Sequence, residues 1–315
     1  MKIKHLLCFI ALCLFFTPGK AQQLSVMTLR NGATVYIWED KSKPDVFGMI
    51  AFKVGSVDDP EQYTGLAHYL EHVMFKGTQT IDALDWEKEK PIYEKIIAKY
   101  DERAALSDPA AREAIDKEIN DLTREAAQYA AGNEFSLLVD HMGGQGLNAS
   151  TGYDQTEYHN SFPPSQLEKW LEIYSERLID PVFRGFQTEL EAVYEEYNMY
   201  NDDRGSRMRE FIYEQAFGDH PYARPIIGLP EHLKNPQLSK LIDFYNTWYG
   251  PQNMSIILVG NIDAKEAIPM IRDKFERVPR RAEIHREKKP VRQFKGRTEK
   301  SAKIFYYPCL LYTSP

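Results

Sequence analysis

Two histidines and a glutamate stand at a spacing that suits metal-assisted hydrolysis. The segment His68-Tyr69-Leu70-Glu71-His72 has the inverted order His-x-x-Glu-His. On a helix, positions i and i+4 share a face about 5–6 Å apart, so His68 and His72 can present two imidazoles to one ion. Zinc accepts neutral histidine nitrogen, and a catalytic site takes three protein ligands and leaves one position open. Glu71 can then serve as general base towards a water molecule bound to that ion.

A third metal ligand has to come from another part of the chain. The segment 189–197 is acidic on one predicted helix face, which Glu189 and Glu196 share because they lie two turns apart. One of them can bind the ion while the other orients a ligand. Spacing alone does not choose between Glu195 and Glu196. Two alternatives fit the same residues: a solvated acidic face, and two helical histidines with ordinary hydrogen bonds.

The elements that must position these residues follow from turn signals and periodicity. Alternating residues from Val26 to Ile37 surround Asn31-Gly32, which is a strong β-hairpin signal. Further strands are predicted at 47–54, 147–151, 157–162 and 254–259, and helices at 65–75, 135–142, 165–179, 187–201, 205–217 and about 237–250. This order predicts an α+β fold, a sheet with helices packed largely on one face.

Residues 84–131 differ in composition from the rest of the chain. They are rich in Glu, Lys and Ala, and Ser107-Asp108-Pro109 divides them into two stretches. Asp108 is predicted to cap the second helix, with Pro109 at its first position. We expect a charged helical hairpin, inserted at the surface as a solvated accessory element. A role in gating substrate access is an alternative for which the residues give no support.

The N-terminus has the layout of a cleaved secretory signal. Basic residues precede an apolar run at 6–16, and small residues follow at Gly19 and Ala21. The run is too short for a membrane anchor, and Cys13 lacks the small preceding residue of a lipoprotein signal. No later segment suits a membrane span. We therefore expect a signal peptide at 1–21 and export to the periplasm or the extracellular space.

Composition narrows the functional classes. The formal net charge of −7 disfavours a nucleic-acid binder, and 43% hydrophobic residues support a packed core. Without the signal peptide only Cys309 remains, which excludes an internal disulfide framework. Residues 279–308 are basic but interrupted by acidic residues and prolines, so we expect a solvated linker and the start of a truncated second domain. Residues 309–315 resemble a translated sequencing adapter, so native sequence is expected to end near Pro308.

Four ordered motifs resemble the pitrilysin family of zinc peptidases, which includes insulysin and the mitochondrial processing peptidase. The segment 65–78 is similar to the family's active-site helix, and 146–151 is similar to its substrate-binding strand. The third match combines His220-Pro221-Tyr222 with Pro225-Ile226-Ile227-Gly228, and the fourth is the segment 245–254 running into Val259-Gly260. The resemblance implies a catalytic domain at 22–278, built on a mostly antiparallel sheet.

The resemblance also implies a role for each candidate residue. The family binds Zn2+ through both histidines and a downstream glutamate, seven residues after another functional glutamate. That pattern assigns Glu196 as the third ligand and Glu189 as a supporting catalytic acid, with Glu195 facing elsewhere. Position 196 lies 124 residues after position 72, against roughly 75 in the family's motif. An insertion at about 84–131 has the missing length.

Substrate binding is implied in the same way. An extended peptide would add to the edge strand at Asn148 and Ala149 through main-chain hydrogen bonds, which suits many sequences. Without the resemblance, Asn148 fits a turn residue that caps Gly143-Gly144. Family members close a second homologous half over the active site, from the same chain or a partner subunit. This chain stops where such a half would begin, so we expect the 315-residue product to bind zinc and to cleave poorly.

The sequence therefore predicts an exported zinc-dependent endopeptidase that hydrolyses peptide bonds in peptides or unfolded protein segments. The alternative is a non-catalytic half that binds peptides or pairs with an active partner. Such halves usually lose the residues of the His-x-x-Glu-His motif. This chain keeps His68, Glu71 and His72, which favours the enzyme.

Overall fold

The computed structural model describes residues 23–281, 283, 284 and 286. Six strands form one sheet: β1 Gln23–Thr28, β2 Thr34–Glu39, β3 Val46–Phe52, β4 Gln145–Thr151, β5 Thr156–Phe162 and β6 Met254–Gly260. They lie side by side in the order β1-β2-β6-β3-β5-β4. Strands β2 and β6 run parallel, and the other neighbouring pairs are antiparallel. The predicted mostly antiparallel sheet is confirmed.

The described part of the chain also forms α-helices. They are α1 Leu66–Val73, α2 Trp86–Ala105, α3 Pro109–Ala126, α4 Glu134–His141, α5 Leu167–Glu176, α6 Phe186–Asp202, α7 Arg204–Phe217, α8 Pro230–Leu233, α9 Leu238–Trp248 and α10 Ala264–Phe275. Every strand and helix predicted above is present, with ends that differ by a few residues. Within the described residues, no helix is both long and apolar enough to cross a membrane.

One face of the sheet carries the core. Side chains alternate along β3, β5 and β6, so that every second residue is fully buried, as Ile50, Tyr158 and Ile256 are. The opposite face is partly open, and Val26 and Trp38 are 55% and 40% exposed there. This asymmetry confirms the predicted α+β arrangement, with helices largely on one face.

The predicted hairpin at 84–131 is formed by α2 and α3. Asp108 caps α3 by accepting a hydrogen bond from the backbone N–H of Ala111 at 3.0 Å, and Pro109 is the first helical residue. The expectation of a solvated element is wrong for the inner face, because several side chains of the hairpin are buried in the core. They are Glu89, Ile92, Ile96, Tyr100, Ile115 and Ile119. That the hairpin is an insertion stays a prediction.

The described residues of the predicted linker at 279–308 pack against the domain. Arg281 donates to the side chain of Asn246 at 2.6 Å, and its guanidinium lies 4.5 Å from the ring centre of Tyr245. Arg286 donates to Asp58 at 3.1 Å. The prediction of a solvated linker is therefore wrong at Arg281 and Arg286, which contact an aromatic and an acidic side chain respectively. The predicted signal peptide and residues 309–315 lie outside the described residues.

Candidate metal centre

Three predicted ligands meet at one point. His68 and His72 project from one face of α1, and Glu196 reaches them from α6. Glu196 Oε2 lies 3.5 Å from His68 Nε2 and 3.5 Å from His72 Nε2. The three donor atoms lie within 4.8 Å of one another. The tertiary fold thus joins two helices whose candidate ligands are far apart in the sequence.

This donor set fits a zinc ion. Ligand atoms about 2.0–2.1 Å from a tetrahedral ion lie roughly 3.3 Å from one another. The two separations of 3.5 Å between Glu196 and the histidines are close to that value, and the two histidine nitrogens lie within 4.8 Å of each other. Two imidazole nitrogens and one carboxylate oxygen are also the donors that a catalytic zinc site uses, with one position left open.

The start of α1 is held by its own surroundings. Asp59 is buried and accepts hydrogen bonds from the backbone N–H groups of Gly65 and Ala67 at 2.7 and 2.9 Å. These groups have no partner inside the helix, so the carboxylate satisfies them. Leu70 and Val73 anchor the opposite side of α1 in the core. The two histidines are therefore carried on a helix that is restrained at its start and along its length.

The two histidines differ in protonation. Burial disfavours the charged form of His68 and lowers its pKa to about 4, which keeps the imidazole neutral. Burial also opposes the charge on His72, but its hydrogen bonds to Glu189 and Glu196 outweigh this effect. They raise the pKa of His72 to about 9. Without a metal ion, the charged ring of His72 thus donates from Nδ1 to Glu189 and from Nε2 to Glu196.

Glu71 lies in the cleft beside the candidate ligands. It lines the same cavity of about 400 Å³ as His68 and Glu196. The hydroxyl of Thr151, at the end of β4, donates to Glu71 Oε2 at 2.5 Å. Burial raises the pKa of the Glu71 carboxyl, against the opposing effect of this hydrogen bond. A raised pKa makes the carboxylate a stronger base, which suits proton transfer near neutral pH.

Glu189 contacts Nδ1 of His72, the ring nitrogen that is not directed at Glu196. Its carboxylate accepts from His72 Nδ1 at 3.3 Å and from the ammonium of Lys76 at 2.6 Å. Burial favours the neutral form of Glu189, but these two partners outweigh it and lower the pKa. A charged carboxylate on the far nitrogen fixes the ring orientation and leaves Nε2 for a metal ion. Glu189 is thus placed as an orienting group.

The orientation of α6 favours Glu196 over Glu195 as the third ligand. Glu196 faces the histidines, whereas Glu195 is exposed and lines a separate groove on the hairpin side. The hydrogen bond from His72 is the largest of the effects that lower the pKa of Glu196, and the hydroxyl of Tyr200 also contributes. Glu196 is therefore held as a carboxylate, the form that binds metal.

The predicted substrate strand is the free edge of the sheet. Strand β4 pairs with β5 on one side and has no neighbouring strand among the described residues on the other. Ala149 lines the cleft together with Thr151. The side chain of Asn148 alternates to the other face, where it is exposed opposite His159. The structure thus brings Ala149 to the candidate centre, whereas Asn148 does not line this cleft.

Sequence reasoning did not identify three residues that contact this centre. Lys76 and Tyr200 each follow a predicted site residue by four positions, at His72 and Glu196 respectively. The i+4 spacing on a helix could have indicated Tyr200, whereas Lys76 lies beyond the end of α1. Thr151 gave no such signal, because its contact with Glu71 depends on how β4 crosses α1.

Two family descriptions match this chain. The family described as insulinase (peptidase family M16) matches residues 34–90 and 122–229. The peptidase M16 inactive domain matches residues 237–308, of which those beyond 286 lie outside the described residues. The first match includes all the candidate site residues and leaves 91–121, inside the predicted insertion, unmatched.

Curated relatives are named as zinc proteases. "Probable zinc protease PqqL" of Escherichia coli is 25% identical over 270 residues, which are 82% of this chain and 23% of that protein. Zinc protease PqqE of Helicobacter pylori is 24% identical over 254 residues, 79% of this chain and 46% of that protein. The chain thus spans less than half the length of these relatives. They support Zn2+ as the cofactor.

Solved structures share the fold. The periplasmic protease PqqL from Escherichia coli superposes with a TM-score of 0.65 at 24% identity, over 86% of this chain and 26% of that chain. Pitrilysin superposes with a TM-score of 0.64 at 22% identity, over 87% and 25%. Because the insulinase match covers more than half of the sequence, the chain belongs to the insulinase family of peptidases, M16.

Proposed function

We propose that this chain is the catalytic domain of an exported zinc-dependent endopeptidase that cleaves peptides or unfolded protein segments. The observation that carries the proposal is the meeting of His68, His72 and Glu196 beside Glu71 in one cleft. His68, His72 and Glu196 would hold the ion. Bound zinc supplies Lewis-acid chemistry, which polarises a scissile carbonyl and lowers the pKa of water.

The protein's own groups would move the proton. Glu71 accepts a proton from the attacking water and later delivers it to the leaving amine. Thr151 donates to Glu71 and keeps one carboxylate oxygen directed, so that the other can face the substrate. Glu189 holds His72 in orientation through Nδ1.

The edge strand β4 would hold the substrate. Its unpaired backbone groups border the cleft at Ala149, and an extended peptide could add there as a further strand. Main-chain pairing at Asn148 and Ala149 would make recognition tolerant of sequence. A second homologous half would close over this cleft, and the solved structures with this fold include the first half of the periplasmic protease PqqL from Escherichia coli.

Export is the remaining part of the proposal. It is supported by the signal-like pattern at 1–21 and by the likeness to PqqL from Escherichia coli, which is described as a periplasmic protease. Mass spectrometry of the mature N-terminus after secretion would test it, with cleavage after Ala21 expected.

The test of the site combines a metal assay with a peptidase assay on the intact gene product. Glu71→Gln should retain zinc and lose hydrolysis by about 10²–10⁴-fold, because only the base is removed. His68→Ala should lose the metal. Glu195→Gln is the matched control and should change neither property. Unchanged zinc content in His68→Ala would refute the assignment of the ligands.

A further inference from the structure

The hairpin contributes a buried ion pair to the core. Glu89 of α2 accepts two hydrogen bonds from Arg184, at 2.6 Å from Nε and 2.7 Å from Nη2. The two side chains are only 2% and 8% exposed. Arg184 stands just before α6, the helix that carries Glu189 and Glu196. A two-point contact of this kind fixes both distance and angle between the elements it joins.

Arg184 also holds the loop that follows α1. Its Nη1 donates to the carbonyl of Thr78 at 2.8 Å and lies 3.3 Å from that of Lys76 and 3.4 Å from that of Ile81. One guanidinium therefore joins the hairpin, the start of α6 and the residues just after the candidate metal helix. Glu89 is the group that holds this guanidinium in place.

Lys76 completes a path to the metal centre. Its backbone carbonyl contacts Arg184, and its ammonium contacts Glu189 at 2.6 Å. Glu189 in turn accepts from Nδ1 of His72 at 3.3 Å. A displacement of Lys76 would therefore change the orientation of His72 through one intervening group, the carboxylate of Glu189.

A second contact between the hairpin and α1 runs through an aromatic ring. Phe186, the first residue of α6, packs against Tyr69 of α1 and Tyr100 of α2, with 4.8 Å between ring centres in each case. The hydroxyl of Tyr69 donates to the carbonyl of Phe186. Tyr69 immediately follows His68. The hairpin thus contacts α6 directly and reaches α1 through Phe186.

From this chain of contacts we propose that Glu89 is a positioning residue of the metal centre, acting through Arg184 and Lys76. The hairpin is then part of the scaffold of the site. The proposal rests on the metal centre proposed above. A metal site requires its ligands within about 0.5 Å of the productive geometry, and loss of an outer partner typically costs 10–100-fold in metal affinity.

The test measures zinc affinity by competition with a chromophoric chelator. Glu89→Gln keeps the size of the side chain but removes its charge and one of its two acceptor oxygens. We expect the zinc dissociation constant to rise about 10- to 100-fold, with changed visible bands when Co2+ replaces zinc. Glu94→Gln is the matched control, because Glu94 is an exposed residue of the same helix. It should leave both readouts unchanged.

Each outcome supports or overturns the role of Glu89. If Glu89→Gln is folded by circular dichroism and binds zinc within twofold of the parent, the proposal is wrong. An equal effect of Glu94→Gln would also overturn it. If Glu89→Gln does not fold, the zinc affinity of Lys76→Met is measured instead, because the Lys76 side chain is partly exposed and its replacement should be tolerated. Weaker zinc binding by Lys76→Met supports the proposal, and unchanged binding overturns it. A parent protein that binds no zinc would overturn the proposed function as well.

Discussion

At the scale of single residues, the two candidate histidine ligands differ in protonation before a metal ion binds. Burial keeps His68 neutral, whereas His72 bridges Glu189 and Glu196 and carries a proton. A metal ion needs the lone pair of Nε2 on both rings. Metal binding therefore has to displace the proton of His72, and the bridging carboxylates become a ligand and an orienting group.

We predict that zinc binding releases a proton. The pKa of His72 is raised to about 9 in the metal-free protein, so the ring is protonated at pH 7 and about one proton should leave for each zinc bound. Release should decline as pH rises through 9, because the ring is then already neutral. Calorimetric titrations at pH 7 in two buffers of different ionisation enthalpy measure the number of protons. Zero release at pH 7 would contradict the bridged arrangement.

At the scale of elements, the start of α1 depends on a glycine. Gly65 has φ +92°, and a Cβ atom built there would lie 2.5 Å from the carbonyl oxygen of Ile227. Only glycine combines this backbone conformation with so close an approach. Gly65 therefore determines where α1 begins, and so it also determines the position of His68 relative to the cleft.

We predict that Gly65→Ala lowers the free energy of unfolding by about 3 kcal/mol, from backbone strain and the clash together. Gly132→Ala is the control. That residue also has a positive φ, +76°, but no heavy atom lies within 4 Å of its added Cβ, so strain alone should cost about 1 kcal/mol. Urea unfolding compares the two variants. Equal losses would show that the contact with Ile227 does not matter.

The hairpin shows the limit of composition as a guide to elements. Its charged residues correctly predicted two helices and the cap at Asp108. The same composition gave no indication that the carboxylate of Glu89 is buried and pairs with Arg184. A composition average cannot identify such a residue, because its partner at position 184 comes from another element.

At the scale of the whole molecule, the side chain of Arg177 connects β5 of the sheet with α4, α5 and the residues just after α1. It is 2% exposed and donates to the carbonyl of Met74, just after α1, at 2.9 Å. No described residue accepts from its Nε or Nη1. The guanidinium instead lies 4.4–5.5 Å from the ring centres of Phe75, Phe135, Tyr158 and Tyr174. Aromatic faces stabilise this charge, which forms no ion pair with a carboxylate of the described residues.

We predict that Arg177 stabilises the fold mainly by filling this space. Arg177→Ala should lower the free energy of unfolding by about 3–5 kcal/mol, because it leaves a large cavity. Arg177→Met should cost about 1 kcal/mol, since burial of an unpaired charge is itself unfavourable. Arg124→Met, at a side chain that is 78% exposed, is the control and should have little effect on stability. If methionine is as harmful as alanine, the aromatic contacts of the charge dominate instead.

The sequence by itself determined the α+β class, nearly every strand and helix, the candidate ligands His68 and His72, and the candidate base Glu71. Local periodicity and i,i+4 spacing carry that information. Only the tertiary structure decided that Glu196 meets the histidines, that the side chain of Asn148 points away from the cleft, and that Glu89 is buried against Arg184. Those facts depend on how helices rotate and strands cross, which long-range packing sets and no local pattern records.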